Sequence, residues 1–482
     1  MSRRLKLVNL AVLALVALAL RLSAIWLVGA HQQAGGTTYE HGEIAENLLA
    51  GRGFSVTFLG VFGPTSQQAP FYPGLLAAVY YCFGVGSPAS LLVVQVLQAV
   101  AGTLLVLCVV WLGCSLLADW PVLGLTAGWL AALYPSHIYM VTHFQVAVWS
   151  ALVLTALLAW VAWPGGRHTL GKALVAGLLA GCLLLIDPIL ALVLPWAAYL
   201  FWRCDREMVI ADGWMNVFWA WCGRTGRVAA IGIVAAMVVA PWLNRNYRVH
   251  GEFVFVKSTL GYALWQGNNP ASWGTDKIPK SSDETLRHRH NGSLAGRHRA
   301  LWDARHETLY IDDVLLKPTG YRDFVGLSEP ERSRRLGSQA WEFITRQPDR
   351  YLQLCLRRLR YFLLFDETNP KARSGIYRTT TVVWLVSSIV GLVLLRSRWR
   401  TLWPLVGAFA AVTLFHTLTI ASARFRIPIE PFSFVWAAAP YAAIFQRAPV
   451  AAGGGWGGAW PDRGWRPSIA WGPSDAPVRP AG

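Results

Sequence analysis

Eleven apolar segments, near 7–28, 71–86, 91–117, 121–140, 144–163, 171–186, 189–202, 229–247, 376–395, 401–420 and 428–445, restrict what this chain can fold into. Several run long enough without charge to cross a bilayer, which takes about 20 apolar residues as a helix. Backbone embedded in lipid must satisfy its own hydrogen bonds, so such segments are helices. The alternating pattern of an outer-membrane strand is absent. With 54% hydrophobic and 14% charged residues, the chain reads as an all-α polytopic membrane protein of about 10–13 transmembrane helices.

Basic loops set the orientation. Arg167 to Lys172, Arg203 to Arg227 and Arg396–Arg400 read as cytoplasmic, because short cytoplasmic loops carry an excess of Lys and Arg. The first apolar run follows SRRLK and has no small-residue cleavage site after it, so it reads as an uncleaved span. Four parts result: an N-terminal bundle 1–248 with an external loop 29–70, an external, mainly helical domain 249–375, transmembrane helices over 376–446, and a disordered cytoplasmic tail 447–482. Within the external part, Glu329–Arg350 carries helical spacing at Leu336, Ala340, Phe343 and Ile344. Parity raises a difficulty. If loop 29–70 and the turn Tyr134–His143 lie on one face, three apolar segments cannot separate them, so 71–86 or 121–140 is expected to turn back.

The net charge of +17 sits mostly in loops beside apolar segments, without any nucleic-acid-binding motif. It suits membrane orientation and anionic lipid headgroups, and nucleic acid is not an expected partner. The seven cysteines show neither a CxxC pair nor metal-ligand spacing, and those in apolar runs act as small hydrophobes.

Two polar stretches carry candidate chemistry. In YEHGEIAENLL, Glu40 and Glu43 are three residues apart and share a helix face, with Glu46 nearby. They are either the solvated side of a surface helix or a carboxylate base at the lipid–water boundary. The stretch Pro64–Pro73 adds Gln68 and Tyr72, neutral groups suited to sugar hydroxyls. Arg245 and Arg248 close one apolar segment, and Arg424 and Arg426 stand before another. Forked guanidinium groups at such positions bind a phosphate or anchor headgroups. His137, His143 and Gln145 flank a further turn, and Asn268 and Asn269 lie in LWQGNNP. Asp187 is either functional or the cap of the helix starting at Pro188. Asn291 begins a glycosylation sequon to which nothing is assigned.

Taken together, E-x-G-x-IA-x-NLL-x-G-x-GF at Glu40–Phe54, PT-x4-P-x-YP at Pro64–Pro73, PW-x2-RNY at Pro241–Tyr247, LWQGNNP at Leu264–Pro270 and RFRIPIEP at Arg424–Pro431 resemble the GT-C superfamily of integral-membrane glycosyltransferases. Similarity is greatest to the bacterial group related to aminoarabinose transferases and protein O-mannosyltransferases. The resemblance implies a GT-C-like bundle, a polyprenyl-phosphate-linked sugar donor and catalysis on the external face of the bacterial cytoplasmic membrane. It also implies an acidic base in the first external loop, carried onto Glu40 and, as second choice, Glu43. Many relatives have aspartate there. The second external turn offers Gln145 and histidines where some relatives place another acid, so no metal-bridged aspartate pair and no cofactor is expected.

The expected activity is therefore transfer of one hexosyl or pentosyl unit, with inversion, to a glycolipid, polysaccharide or protein. Arg245, Arg248, Arg424 and Arg426 would hold the donor phosphate. Gln68, Tyr72, His137, His143, Asn268 and Asn269 would orient sugar or acceptor. The alternatives are a transporter or flippase of a lipid-linked saccharide, and a polymerase using a diphosphate-linked donor. A transporter would show paired broken helices in two halves, which this sequence lacks.

Overall fold

In a computed structural model of the chain, residues 3–32, 38–164, 169–204, 214–279 and 309–447 are described, with positions 292, 296 and 300. The Asn291 sequon and the tail from 448 lie outside the described residues. Among the described residues, five helices are long and apolar enough to cross a membrane. They include α1 (Arg3–Val28), α4 (Pro88–Leu116) and α10 (Trp214–His250), with the helices Gly375–Leu394 and Trp399–Leu418. Shorter apolar helices fill the bundle between them: α5 (Pro121–Leu133), α7 (Ala147–Ala162), α8 (Leu170–Ile186) and α9 (Leu194–Cys204). Their main core unites these elements with the helix Glu430–Ala437, through Leu13, Val106, Leu154, Leu183 and Phe432.

The parity difficulty bears on α3 (Phe71–Phe83). Its 13 residues extend about 20 Å, short of the roughly 30 Å of hydrocarbon a bilayer presents. The chain then turns at Gly84, whose φ of 91° suits glycine, and Ser87 caps the long helix α4. The helix α3 packs on α2 (Tyr39–Leu49) through Ala45, Tyr72, Leu76 and Tyr80. The helix α5 is also 13 residues long, so length alone leaves both 71–86 and 121–140 as the segment that turns back. Pro135 breaks α5 from the short α6 (Pro135–Met140).

The polar region after α10 is mainly helical. It contains α11 (Leu260–Gly267), the paired two-residue strands β3 (Lys277–Ile278) and β4 (Leu309–Tyr310), and the helices Glu329–Arg346 and Pro348–Leu363. The helix expected over 329–350 ends four residues early, because Pro348 cannot continue it and instead opens the next. Its start is fixed by a capping box between Ser328 and Glu331. A small hairpin in the first loop, β1 (Ser55–Phe58) against β2 (Val61–Pro64), packs on this region through Val56, Phe58, Trp265 and Leu336.

The last residue of α11 is Gly267, where a Cβ would collide with the carbonyl oxygen of Thr419. This contact seats the polar region on the end of the helix Trp399–Leu418. Replacing Gly267 with alanine is expected to cost about 1–3 kcal/mol, as overpacking does. The expected readout is a lowered melting temperature of the purified protein in detergent.

Candidate active site

One cavity of about 1450 Å³ lies where the first loop, the end of the bundle and the polar region meet. Its apolar wall comes from the bundle: Leu27 and Val28 of α1, Met140, Ile189 and Leu192, with Val412 and Phe415. Its polar wall comes from the loops and carries Glu40, His41, Gln67, Gln68, Asp187, Lys257 and Arg424.

A polar knot holds these loops in place. Thr65 donates its hydroxyl to one Glu329 oxygen, while the Ser66 amide (2.7 Å) and the Ser258 hydroxyl (2.6 Å) donate to the other. Arg245 binds the carbonyls of Thr65 (2.6 Å) and Phe54 (2.9 Å), and Ser66 donates to Asn246 (2.8 Å). The Ser258 amide returns to the Ser66 carbonyl at 3.0 Å. Gln67 and Gln68 follow directly, and the Lys257 ammonium donates to Gln68 Oε1 at 3.0 Å.

Two strained residues adjoin the candidate groups. Tyr39, before Glu40, has φ 51°, and Val256, before Lys257, has φ 48°. A left-handed β-branched residue is costly and persists only where its surroundings fix it. Trp242 and Asn246 both donate to the Val256 carbonyl, at 2.9 and 3.3 Å, which supplies that constraint.

Electrostatics divide the cavity. Burial lowers the Lys257 pKa from the ordinary lysine value, partly offset by Asp187, with Arg424 lowering it further and Glu40 raising it. Burial also pushes the His41 pKa down to about 3, with Lys257 and Arg424 adding to the effect, so His41 is a neutral group here. Its Nδ1 is buried without a hydrogen-bond partner, as is Gln67 Oε1. Burial raises the Asp312 pKa to about 6 despite its bonds from Tyr262 and Gln266.

Of the residues singled out from sequence, the cavity gathers Glu40, Gln68, His143, Gln145, Asp187 and Arg424. Asp187 also caps the turn after it, accepting from the Ile189 amide at 3.4 Å. Arg426 reaches the wall but is buried, bound to Glu430 and to the carbonyls of Phe362 and Leu363. His137 donates to the same Glu430 at 3.0 Å and lies behind the wall. Arg245 is committed to backbone carbonyls, and Arg248 is exposed on α10 outside the cavity lining. Glu43 accepts from the Thr57 amide at 2.8 Å, tying α2 to β1. Tyr72 is buried against α4, donating to Gln98 at 2.9 Å. Asn268 bridges the Leu264 and Thr419 carbonyls and accepts from Arg358, while Asn269, just past α11, donates to the Trp265 carbonyl at 2.8 Å and accepts from the Ala271 amide.

Lys257, His41, Asp276, Asp312 and Asp366 also line the cavity and were not singled out from sequence. Lys257 had a signal, as a lone cation in the apolar run FVFVKSTLGYALW. Among the described residues, no three His, Cys, Asp or Glu side chains gather in a metal-binding group.

The described fold has known counterparts. The oligosaccharyltransferase of Archaeoglobus fulgidus, in its apo form, superposes with a TM-score of 0.52 over 92% of this chain and 51% of its own, at 15% identity. The same archaeal enzyme, AglB, in complex with an inhibitory peptide and a dolichol-phosphate, gives 0.50 over 91% of this chain and 50% of its own, also at 15% identity. The chain has the GT-C fold. It spans about half the length of the archaeal enzyme. ArnT from Cupriavidus metallidurans, bound to undecaprenyl phosphate, matches at 15% identity and a TM-score of 0.37 over 92% of this chain and 79% of its own. No protein-family model matches, and no curated protein matches in sequence.

Two outcomes follow from this geometry. Arg245→Lys is expected to lower the melting temperature, since the ammonium cannot replace two forked bonds. Asp312 has a folded pKa of about 6 against an ordinary 3.8. Its protonated form therefore favours folding below about pH 4, and that contribution is lost as pH rises through 6. Melting curves of Asp312→Asn should accordingly show a flatter pH dependence between pH 4 and 6 than wild type.

Proposed function

We propose that this chain is an inverting glycosyltransferase that moves one sugar from a polyprenyl-phosphate carrier to an acceptor hydroxyl, on the outer side of the bacterial cytoplasmic membrane. The observation that carries this reading is the meeting of Glu40, Lys257 and Arg424 in one cavity whose other wall is apolar. The GT-C fold supports it, as does the dolichol-phosphate bound to AglB.

The apolar wall receives the prenyl chain, and Lys257 and Arg424 hold the phosphate. Glu40, as carboxylate, takes the proton from the acceptor hydroxyl, whose oxygen attacks the anomeric carbon from the face opposite the phosphate. The bond from that carbon to the phosphate oxygen breaks, and its electron pair leaves with the polyprenyl phosphate. The two cations neutralise the charge that develops there, so no metal is required. Gln68 and His143 orient the polar groups, with Gln68 itself fixed by Lys257.

Transfer of radiolabelled sugar from polyprenyl-phosphate donors, by purified protein in lipid, tests the reading. Glu40→Gln is expected to lower turnover by about 10²–10⁴-fold, the usual range for a general base, and Arg424→Ala to weaken donor binding. Near-normal turnover in folded Glu40→Gln would remove the base assignment. Absence of transfer from every monophosphate donor would remove the activity.

A further inference from the structure

The cavity has a second polar patch, opposite in character to the one around Lys257 and Arg424. Asp276, Asp312 and Asp366 all line it, from the end of the polar region. Asp276 lies within electrostatic reach of both other carboxyls. The Asp276 charge is already answered by Lys277, 3.1 Å away. Asp312 accepts from the Tyr262 hydroxyl, and Gln266 donates to both of them, at 2.8 Å to the hydroxyl and 3.4 Å to the carboxylate. The residues Tyr262 and Gln266 line the cavity as well.

Asp366 provides the second observation. It is fully buried, its Oδ1 accepts from the Thr368 amide at 3.0 Å, and its Oδ2 is buried with no hydrogen-bond partner. A buried carboxylate oxygen without a donor is costly unless a ligand brings one. The patch is thus rich in acceptors; Lys277 is paired with Asp276, and Arg424 also lies within electrostatic reach of Asp276. Hydroxyl groups satisfy such a surface. A further carboxylate would face a wall lined by carboxyl groups and would add no donor in its ionised form.

Resting on the reading above, we propose that Asp312 and Asp366 form the subsite for the transferred sugar, and that this sugar is hydroxyl-rich and carries no acidic group. The phosphate end and the sugar end of the donor are then recognised by separate residue sets. Lys257 and Arg424 serve any polyprenyl phosphate. The aspartate patch selects what the phosphate carries.

The test uses the full chain in lipid nanodiscs and three synthetic probes: a bare polyprenyl phosphate, the same lipid bearing a neutral hexose, and the same lipid bearing a hexuronic acid. Binding is read by native mass spectrometry or by competition. The wild type is expected to bind the hexosyl lipid about tenfold more tightly than either other probe, the scale of one or two bonds to a charged acceptor. Asp312→Asn and Asp366→Asn are each expected to erase most of that preference and leave the bare lipid's affinity unchanged, which also reports that the variants are folded. The proposal is overturned if the wild type prefers the hexuronosyl lipid, if it does not discriminate, or if both folded variants keep the preference. The wild-type comparison decides the matter even where a variant fails to fold. Failure of the wild type to bind the bare lipid would instead overturn the phosphate-carrier reading itself, and the sugar subsite with it.

Discussion

A single carboxylate organises the functional end of this protein. Glu329 is almost fully buried at the start of its helix and accepts from Thr65, Ser66 and Ser258. The helix N-terminus favours the negative charge, and three donors satisfy it where water is scarce. Arg245 closes the arrangement from α10 by gripping the backbone on both sides of β1 and β2. Three separate parts of the chain are thereby held at fixed spacing, and each delivers a polar group to the cavity within a few residues. Removing one partner would leave several buried donors unmet, which is more costly than the bonds are worth singly.

The fold was well marked in the sequence, because hydrocarbon thickness and backbone satisfaction leave few options for long uncharged runs. The apolar segments 376–395 and 401–420 correspond within two residues to observed helices. The contradiction in parity was legible in the sequence, and two helices of 13 residues, α3 and α5, answer to it. The site was harder to read. Arginines at helix ends look alike in sequence, yet Arg245 and Arg426 are consumed by carbonyls and Glu430 while Arg424 faces the cavity. That difference depends on partners far apart in the chain. Asp312 and Asp366 sit in polar stretches with many similar residues, so nothing local set them apart.

The two polar patches use charge in different ways. Around Lys257 the cations lie beside Asp187 and Glu40, and burial makes the Lys257 charge expensive until a ligand shares it. Around Asp366 the cost falls on an acceptor. A molecule with a phosphate at one end and hydroxyls at the other answers both, and its apolar tail fits the bundle wall.

The contacts of Glu329 also impose an order in time. Thr65 and Glu329 are 264 residues apart, so a ribosome adding about 5–20 residues per second needs roughly 13–50 s to supply the second after the first. Through that interval the first loop is already translated, with α1 able to seat in the membrane, but its polar knot has no centre. The cavity is therefore assembled late, from a waiting half and an arriving half, and no nascent chain that stops before the helix Glu329–Arg346 contains a finished site.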